Sequence, residues 1–271
     1  MPLPYLAHTT VMPALDSCYR LWYVTDAHLG SAGTDETAFA NTVRQIERDE
    51  RSFWIAGGDK GEFINISDRR FDPHDCASWL QIADLGNLAQ RQGERFLELT
   101  RPIWSKCLGS LDGNHEAEIY RRYHYDIGAT IAAEMGVPYC RDGFWLRWTF
   151  ERECAGKKAT TARHSFDIVA MHGWSGTGRR PGSGANALLD ALAVFNADVV
   201  LLGHNHRRQR EPMCSYVLAG QAVTTRKRVA VFGGTFRDGS GYSLQRVLPP
   251  SEIGAVAVDI WPLLRQVEVR L

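Results

Sequence analysis

The chain has 271 residues, 44% hydrophobic and 23% charged, which suits a globular protein that buries a full core, and the length fits one large α/β domain as well as two small ones. Its 31 basic and 31 acidic residues cancel, so no global field draws it to nucleic acid or a membrane, although net charge says nothing of a local basic groove. Met1 to Thr10 lacks a charged segment followed by a long apolar run, no apolar stretch approaches bilayer length, and the six scattered cysteines form no Cys-x-x-Cys pair. A secretory signal, a membrane span and a cysteine metal site are therefore not expected, and the thiols read as reduced in a cytoplasmic protein.

In chain order, Tyr19 to Thr25 is a short apolar, β-rich run that stops at Asp26 and reads as a buried strand. Thr34 is placed to cap a helix whose core face carries Phe39, Val43 and Ile46. Phe53 to Ala56 is the next apolar run, ending at Gly57-Gly58-Asp59. Trp79, Ile82, Leu85 and Leu88 recur every third residue, which predicts one or two helices over 75–99, closed by Pro102. A strand over 104–109 and a helix over 121–135, closed by Gly136 and Pro138, follow. The second half reads mainly as strands, over 144–151, 166–171, 199–202, 216–219 and 229–232 and two near the C-terminus, interrupted by one helix over 185–195. No repeat or linker stands out, so residues 1–271 are expected to form one domain. Alternating helices and strands followed by a strand-rich half suggest two packed sheets with helices outside.

Five short motifs each follow an apolar run: Asp26-Ala27-His28, Gly58-Asp59, Gly113-Asn114-His115-Glu116, His172-Gly173 and Gly203-His204-Asn205-His206. Singly, most are weak, because Asp-x-His is common by chance and Gly-Asp after a strand is usually a turn. Gly-His-x-His says more, since alternation on an extended segment points both rings one way. Gly-Asn-His-Glu is the most particular of the five. Their joint occurrence at expected strand ends, where ligands of α/β sheets gather, is the signal.

Such residues suit phosphate-ester chemistry. The ester's anionic oxygens repel nucleophiles, and two divalent cations about 3.5–4 Å apart would neutralise that charge, orient the ester and acidify a water. Close cations need a shared carboxylate, while imidazoles and an amide oxygen fill the shells without overcharging them. A nitrogen and oxygen set without sulfur favours Mn, with Fe, Zn, Ni or Co as alternatives, over Mg alone.

From Asp26 to His206 this set resembles the calcineurin-like metallophosphoesterases. The resemblance implies a four-layer αββα sandwich of two mixed β-sheets flanked by helices, and a dinuclear metal site. Asp26, His28 and His206 would hold one ion and Asn114, His172 and His204 the other, with Asp59 bridging them. His115 would act as general acid, with Glu116 orienting it. The chain also looks similar to phage and bacterial members of unassigned substrate, which share an acidic residue near Glu62, a helical insertion (here about 60–103) and a glycine-rich run after His-Gly. One departure is Lys60, where the family usually has an apolar residue; it is read as pointing to solvent. The protein serine/threonine phosphatase branch has Asp-Arg-Gly at this point, and its absence argues against that role.

Substrate clues are fewer. Arg179 and Arg180, in the loop after His172, are candidates for gripping a phosphate in bidentate fashion. Arg69-Arg70, Arg121-Arg122, Arg207, Arg208 and Arg210 are candidates for a basic rim, as a nuclease would need. Trp174, Phe236 and Tyr242 are weighed as base-stacking aromatics against a packing role, and His8, His74, His124 and His164 are read as structural or surface residues. The leading expectation is hydrolysis of a phosphodiester, in a nucleotide or nucleic acid, by metal-bound hydroxide. The alternatives are a broad-specificity phosphomonoesterase on the same site and a noncatalytic metal-binding scaffold. Sequence leaves the oligomeric state open.

Overall fold

The computed structural model describes residues 3–13, 17–154, 160–173, 181–238 and 252–271. In chain order the elements are β1 (Tyr5–Val11), β2 (Tyr19–Val24), α1 (Glu36–Arg48), β3 (Ser52–Ala56), α2 (Leu88–Thr100), β4 (Cys107–Ser110), α3 (Asn114–Tyr123), α4 (Ile127–Met135), β5 (Phe144–Cys154), β6 (Thr160–Met171), α5 (Pro181–Val194), β7 (Val199–Leu202), β8 (Arg208–Ala219), β9 (Ala222–Thr235), β10 (Gly254–Trp261) and β11 (Gln266–Arg270).

The strands form two mixed sheets. One runs β1-β5-β6-β7-β9, with β8 also paired to β9; the other runs β4-β3-β2-β10, with β11 also paired to β10. They join where Gly234-Thr235 at the end of β9 pairs with Gly254-Ala255 at the start of β10. Strand periodicity sends alternate side chains to opposite faces, and the core divides accordingly. Leu21 and Tyr23 of β2, Val256 and Val258 of β10, Leu146 and Trp148 of β5 and Ile168 of β6 meet between the sheets. Their neighbours Trp22, Val24 and Trp54 face outward and are covered by Phe39, Val43 and Ile46 of α1, Phe96 of α2 and Ile131 of α4. On the other side Val169, Val200 and Phe232 are covered by Leu188 and Leu192 of α5. The order helix, sheet, sheet, helix is the expected four-layer arrangement.

Several local expectations are corrected. The N-cap of α1 is Asp35, whose carboxylate accepts from Ala38 N, while the Thr34 hydroxyl donates to the His28 carbonyl at 2.6 Å. The threefold spacing over 75–99 is not one helical face: short 3-10 turns occupy Pro73–Asp75 and Ile82–Asn87 before α2 begins, and Ile82 is exposed. Pro102 starts a further 3-10 turn, Arg101–Lys106, so the strand predicted over 104–109 is confined to β4. The helix predicted over 121–135 is two, because His124 adopts φ 52° and closes α3. β8 and β9 are much longer than their apolar cores: β8 has no fully buried residue, its side chains alternating between half-buried and exposed, and the first half of β9 is mostly exposed. Strand β1 was not expected. Among the described residues, no helix is long and apolar enough to cross a membrane.

Candidate metal centre

Five strands end on one polar cluster. Asp26 and His28 follow β2, Asp59 follows β3, Asn114 opens α3 after β4, His172 follows β6, and His204 and His206 follow β7. The backbone turns sharply at these points. Asp26, His28, Asp59, His204 and His206 all have φ between 48° and 67°, a left-handed region that non-glycine residues seldom adopt and that concentrates at functional sites. Main-chain bonds from Asp26 N to Gly58 O (2.9 Å) and from His28 N to Asp59 O (3.0 Å) keep the two turns in register beyond the strands.

The side chains fall into two sets. In the first, His206 Nε2 lies 3.2 Å from Asp26 Oδ1 and 3.1 Å from His28 Nε2. In the second, Asn114 Oδ1 lies 2.7 Å from His204 Nδ1 and 3.2 Å from His172 Nε2. Asp59 joins them through one oxygen: its Oδ2 lies 3.2 Å from His172 Nε2 and 4.0 Å from His28 Nε2. Its Oδ1 is engaged by the backbone N–H of His115 at 2.9 Å. Ligand atoms of Asp26, His28 and His206, and those of Asp59, His172 and His204, each gather within 4.8 Å of one another. All seven expected ligands are thus brought together.

The donor set fits divalent ions. Converging imidazole nitrogens and carboxylate oxygens, in a site with Asp26, His28 and Asp59 almost fully buried, are costly unless a cation or proton sits between them. Without an ion, protons take that place. His172 is pushed up to about 9: burial opposes its charge, but Asp59 and Asp26 outweigh that. Burial raises the Asp26 carboxyl, yet His172 and His206 bring it down to about 2. Burial holds His28 and His204 below their ordinary value, in the neutral form that ligates metals.

His115 belongs to the same cavity, its ring edge-on to His28 at 4.8 Å between centroids. Its Nδ1 is bonded to the backbone carbonyl of Glu62, which fixes Nδ1 as the donor. Burial disfavours the charged ring, but Asp59 and then Glu62 outweigh it, so the net shift is upward.

Glu116 does not orient His115. Its Oε2 accepts from Asp59 N and Gly113 N, each at 2.8 Å, and its Oε1 from Lys60 N at 2.9 Å. It ties the turn after β3 to the start of α3. Lys60 is likewise corrected: it is 1% exposed, and its ammonium donates to Leu111 O at 2.6 Å beside Glu116 Oε1 at 3.5 Å. A buried carboxylate with three N–H donors needs a countercharge, and Lys60 supplies it.

Other expectations divide. Arg179, Arg180, Trp174 and Tyr242 lie outside the described residues. Phe236 is buried against Phe39, so packing is its role. Arg70 is held by Asp68, Arg121 and Arg122 by Glu118, and Arg210 bonds Val269 O, so much of the supposed basic rim is already paired. Two charged residues at the site were not assigned a role from sequence, Glu62 and Arg237. Glu62 Oε2 accepts from His28 Nδ1 at 2.8 Å, and Arg237 Nη1 donates to Glu62 Oε1 at 2.9 Å. No local signal announces Arg237, which arrives from the end of β9, 175 positions from its partner.

No protein-family model matches the chain, and no curated protein matches it. Solved structures do match. A conserved uncharacterized protein of Streptococcus pneumoniae, described as a predicted phosphoesterase, aligns over 90% of this chain and 84% of its own at 13% identity and a TM-score of 0.35. A single mutant of Vps29 from Entamoeba histolytica aligns over 93% and 97% at 10% identity and a TM-score of 0.38. Wild-type Vps29 from that organism, complexed with zinc, covers the same shares at 10% identity and a TM-score of 0.35. At those scores the chemistry has to be argued from the side chains alone.

Proposed function

We propose that the protein is a metal-dependent phosphoric ester hydrolase of the calcineurin-like kind, holding two divalent ions and cleaving a phosphodiester of a nucleotide or nucleic acid. One observation carries the reading: Asp59 Oδ2 faces both ligand sets, 3.2 Å from His172 and 4.0 Å from His28. Two ions held there would supply Lewis acidity to the ester and lower the pKa of a water. The all-nitrogen-and-oxygen set supports manganese first, then iron, zinc, nickel or cobalt.

The chain's own residues do the rest. Asp26 and Asp59 bring two negative charges and the four ligating histidines bring none, so two dications leave the centre net positive toward an anionic ester. His115, with Nδ1 committed to Glu62 O, has its other ring nitrogen to hold a proton for the departing oxygen. A diester is favoured over a monoester because, among the described residues, the guanidinium buried behind the centre, Arg237, is committed to Glu62 and Asp75. It is not available for the second charge of a monoester. The scattered cysteines support a reducing compartment, the cytoplasm.

The test compares bis-nitrophenyl phosphate with nitrophenyl phosphate under each of the five metals. Faster diester cleavage, strongest with manganese, is expected. Faster monoester cleavage overturns the diester preference, and no turnover with any metal overturns the hydrolase reading. Cyclic nucleotides, dinucleotides, single- and double-stranded DNA and RNA then narrow the substrate.

A further inference from the structure

Behind His28 runs a chain of buried charges. His28 Nδ1 donates to Glu62 Oε2 at 2.8 Å. The other Glu62 oxygen accepts from Arg237 Nη1 at 2.9 Å, and Arg237 Nη2 reaches Asp75 Oδ2 at 2.8 Å. Asp75 in turn accepts from the Ser31 hydroxyl at 3.0 Å. His28, Glu62 and Arg237 are each less than 9% exposed. The parts come from four places: the turn after β2, the turn after β3, the end of β9 and the 3-10 turn at Pro73–Asp75. The backbone holds them together, with Glu62 N donating to Leu29 O at 3.0 Å and Thr34 bridging to Arg237.

The arrangement is costly unless it acts on something. A carboxylate this buried needs a positive partner, and the Arg237 guanidinium lies against it at 2.9 Å. A planar guanidinium can serve two carboxylates from one side in a way that an ammonium cannot. Accepting from His28, Glu62 holds the ring proton on Nδ1, so Nε2 turns its lone pair into the space shared with Asp26, His206 and Asp59, where an ion would sit. In the second set, His172 Nδ1 is buried with no hydrogen-bond partner among the described residues. His28 and His172 are therefore supported differently behind the ring.

We infer that Glu62 and Arg237 are positioning residues that set the affinity of one of the two ion sites, the one formed by Asp26, His28 and His206. The inference rests on the reading of this cluster as a metal centre. Carboxylates behind a ligating histidine fix its tautomer and raise its basicity, and losing one typically weakens ion binding by about 10–100-fold.

Calorimetric titration of the purified protein with Mn²⁺ alone tests it without any substrate. Wild type should take up two ions. Glu62→Gln, which keeps size but removes the charge, should weaken one of them by about 10-fold or more and leave the other unchanged. Arg237→Lys should weaken the same step, and it serves in place of Glu62→Gln if that variant does not fold, as judged by circular dichroism. In a His28→Ala background, Glu62→Gln should have no further effect, because its only route to the ion is already cut. An unchanged two-ion isotherm in either folded variant overturns the inference and leaves the proposed function standing. A wild type that binds no ion overturns the proposed function itself.

Discussion

Asp59 carries opposite duties on its two oxygens: Oδ2 faces both ligand sets, while Oδ1 is held by the His115 amide. One oxygen is thus left to be shared, and the other docks the helix that carries Asn114 and His115. The same economy appears at Glu116, which spends both oxygens on backbone N–H groups and on Lys60. Replacing Lys60 with Met should therefore destabilise the fold by about 3–5 kcal/mol, the usual cost of stranding one member of a buried ion pair. Adding Glu116→Gln should recover part of that loss, and denaturant titration of the double-mutant cycle measures it. At His115 the expected effect is chemical. His115→Ala should cut kcat by about 10²–10⁴, more for poor leaving groups than for nitrophenolate, with ion stoichiometry unchanged by titration.

Glycines at the strand ends allow the elements to approach closely enough for the centre to exist. A Cβ on Gly113 would sit 2.1 Å from Asp59 Oδ1, and one on Gly58 would sit 2.2 Å from Gly113 N. Both contacts are too short for any L side chain, so the turn after β3 and the start of α3 interlock only as glycines. Gly113→Ala should displace Asp59 and, because Asp59 serves both sets, remove both ions rather than one. Metal analysis after gel filtration reads this directly, and retention of a single ion would refute the shared role. Element boundaries were less legible in sequence than element identities. The run ending at Asp26 and the helix carrying Phe39, Val43 and Ile46 were plain, because their apolar spacing reports burial on one or two faces. The region over 75–99 misled, because a threefold spacing is shared by a helix face and by 3-10 turns that expose Ile82.

For the whole molecule, metal-free protein should lose stability with rising pH where metal-loaded protein does not. His172 rises to about 9 through Asp59 and Asp26 against an ordinary value of 6.5. A proton bound more tightly when folded stabilises fully below pH 6.5, and that contribution is lost as pH climbs through about 9. His115, raised in the same direction, adds to the trend. Asp112, which burial lifts to about 7, also loses stability as pH rises toward that value. His28 and His204, lowered by burial, act with the opposite sign, but that effect is centred at and below their ordinary value of 6.5 and fades across this window. The melting temperature of chelated protein should therefore fall between about pH 6.5 and 9. With manganese in excess it should hold or rise, since ions compete with those protons for the same ligands. A chelated protein whose stability rises across the window would contradict the buried His172–Asp59 pairing.

The donor types and their order along the chain were present in the sequence, because carboxylate, imidazole and amide side chains each follow an apolar run. Those are local properties, carried by residues a few positions apart. What lies behind the ligands was decided only by the tertiary structure. Lys60 looked like a solvated lysine until the fold set it against Glu116 and Leu111. Arg237 carried no local signal, and only the end of β9 delivers it to Glu62. A charge's role depends on which opposite charge shares its burial, and that pairing exists only once strands far apart in sequence lie side by side.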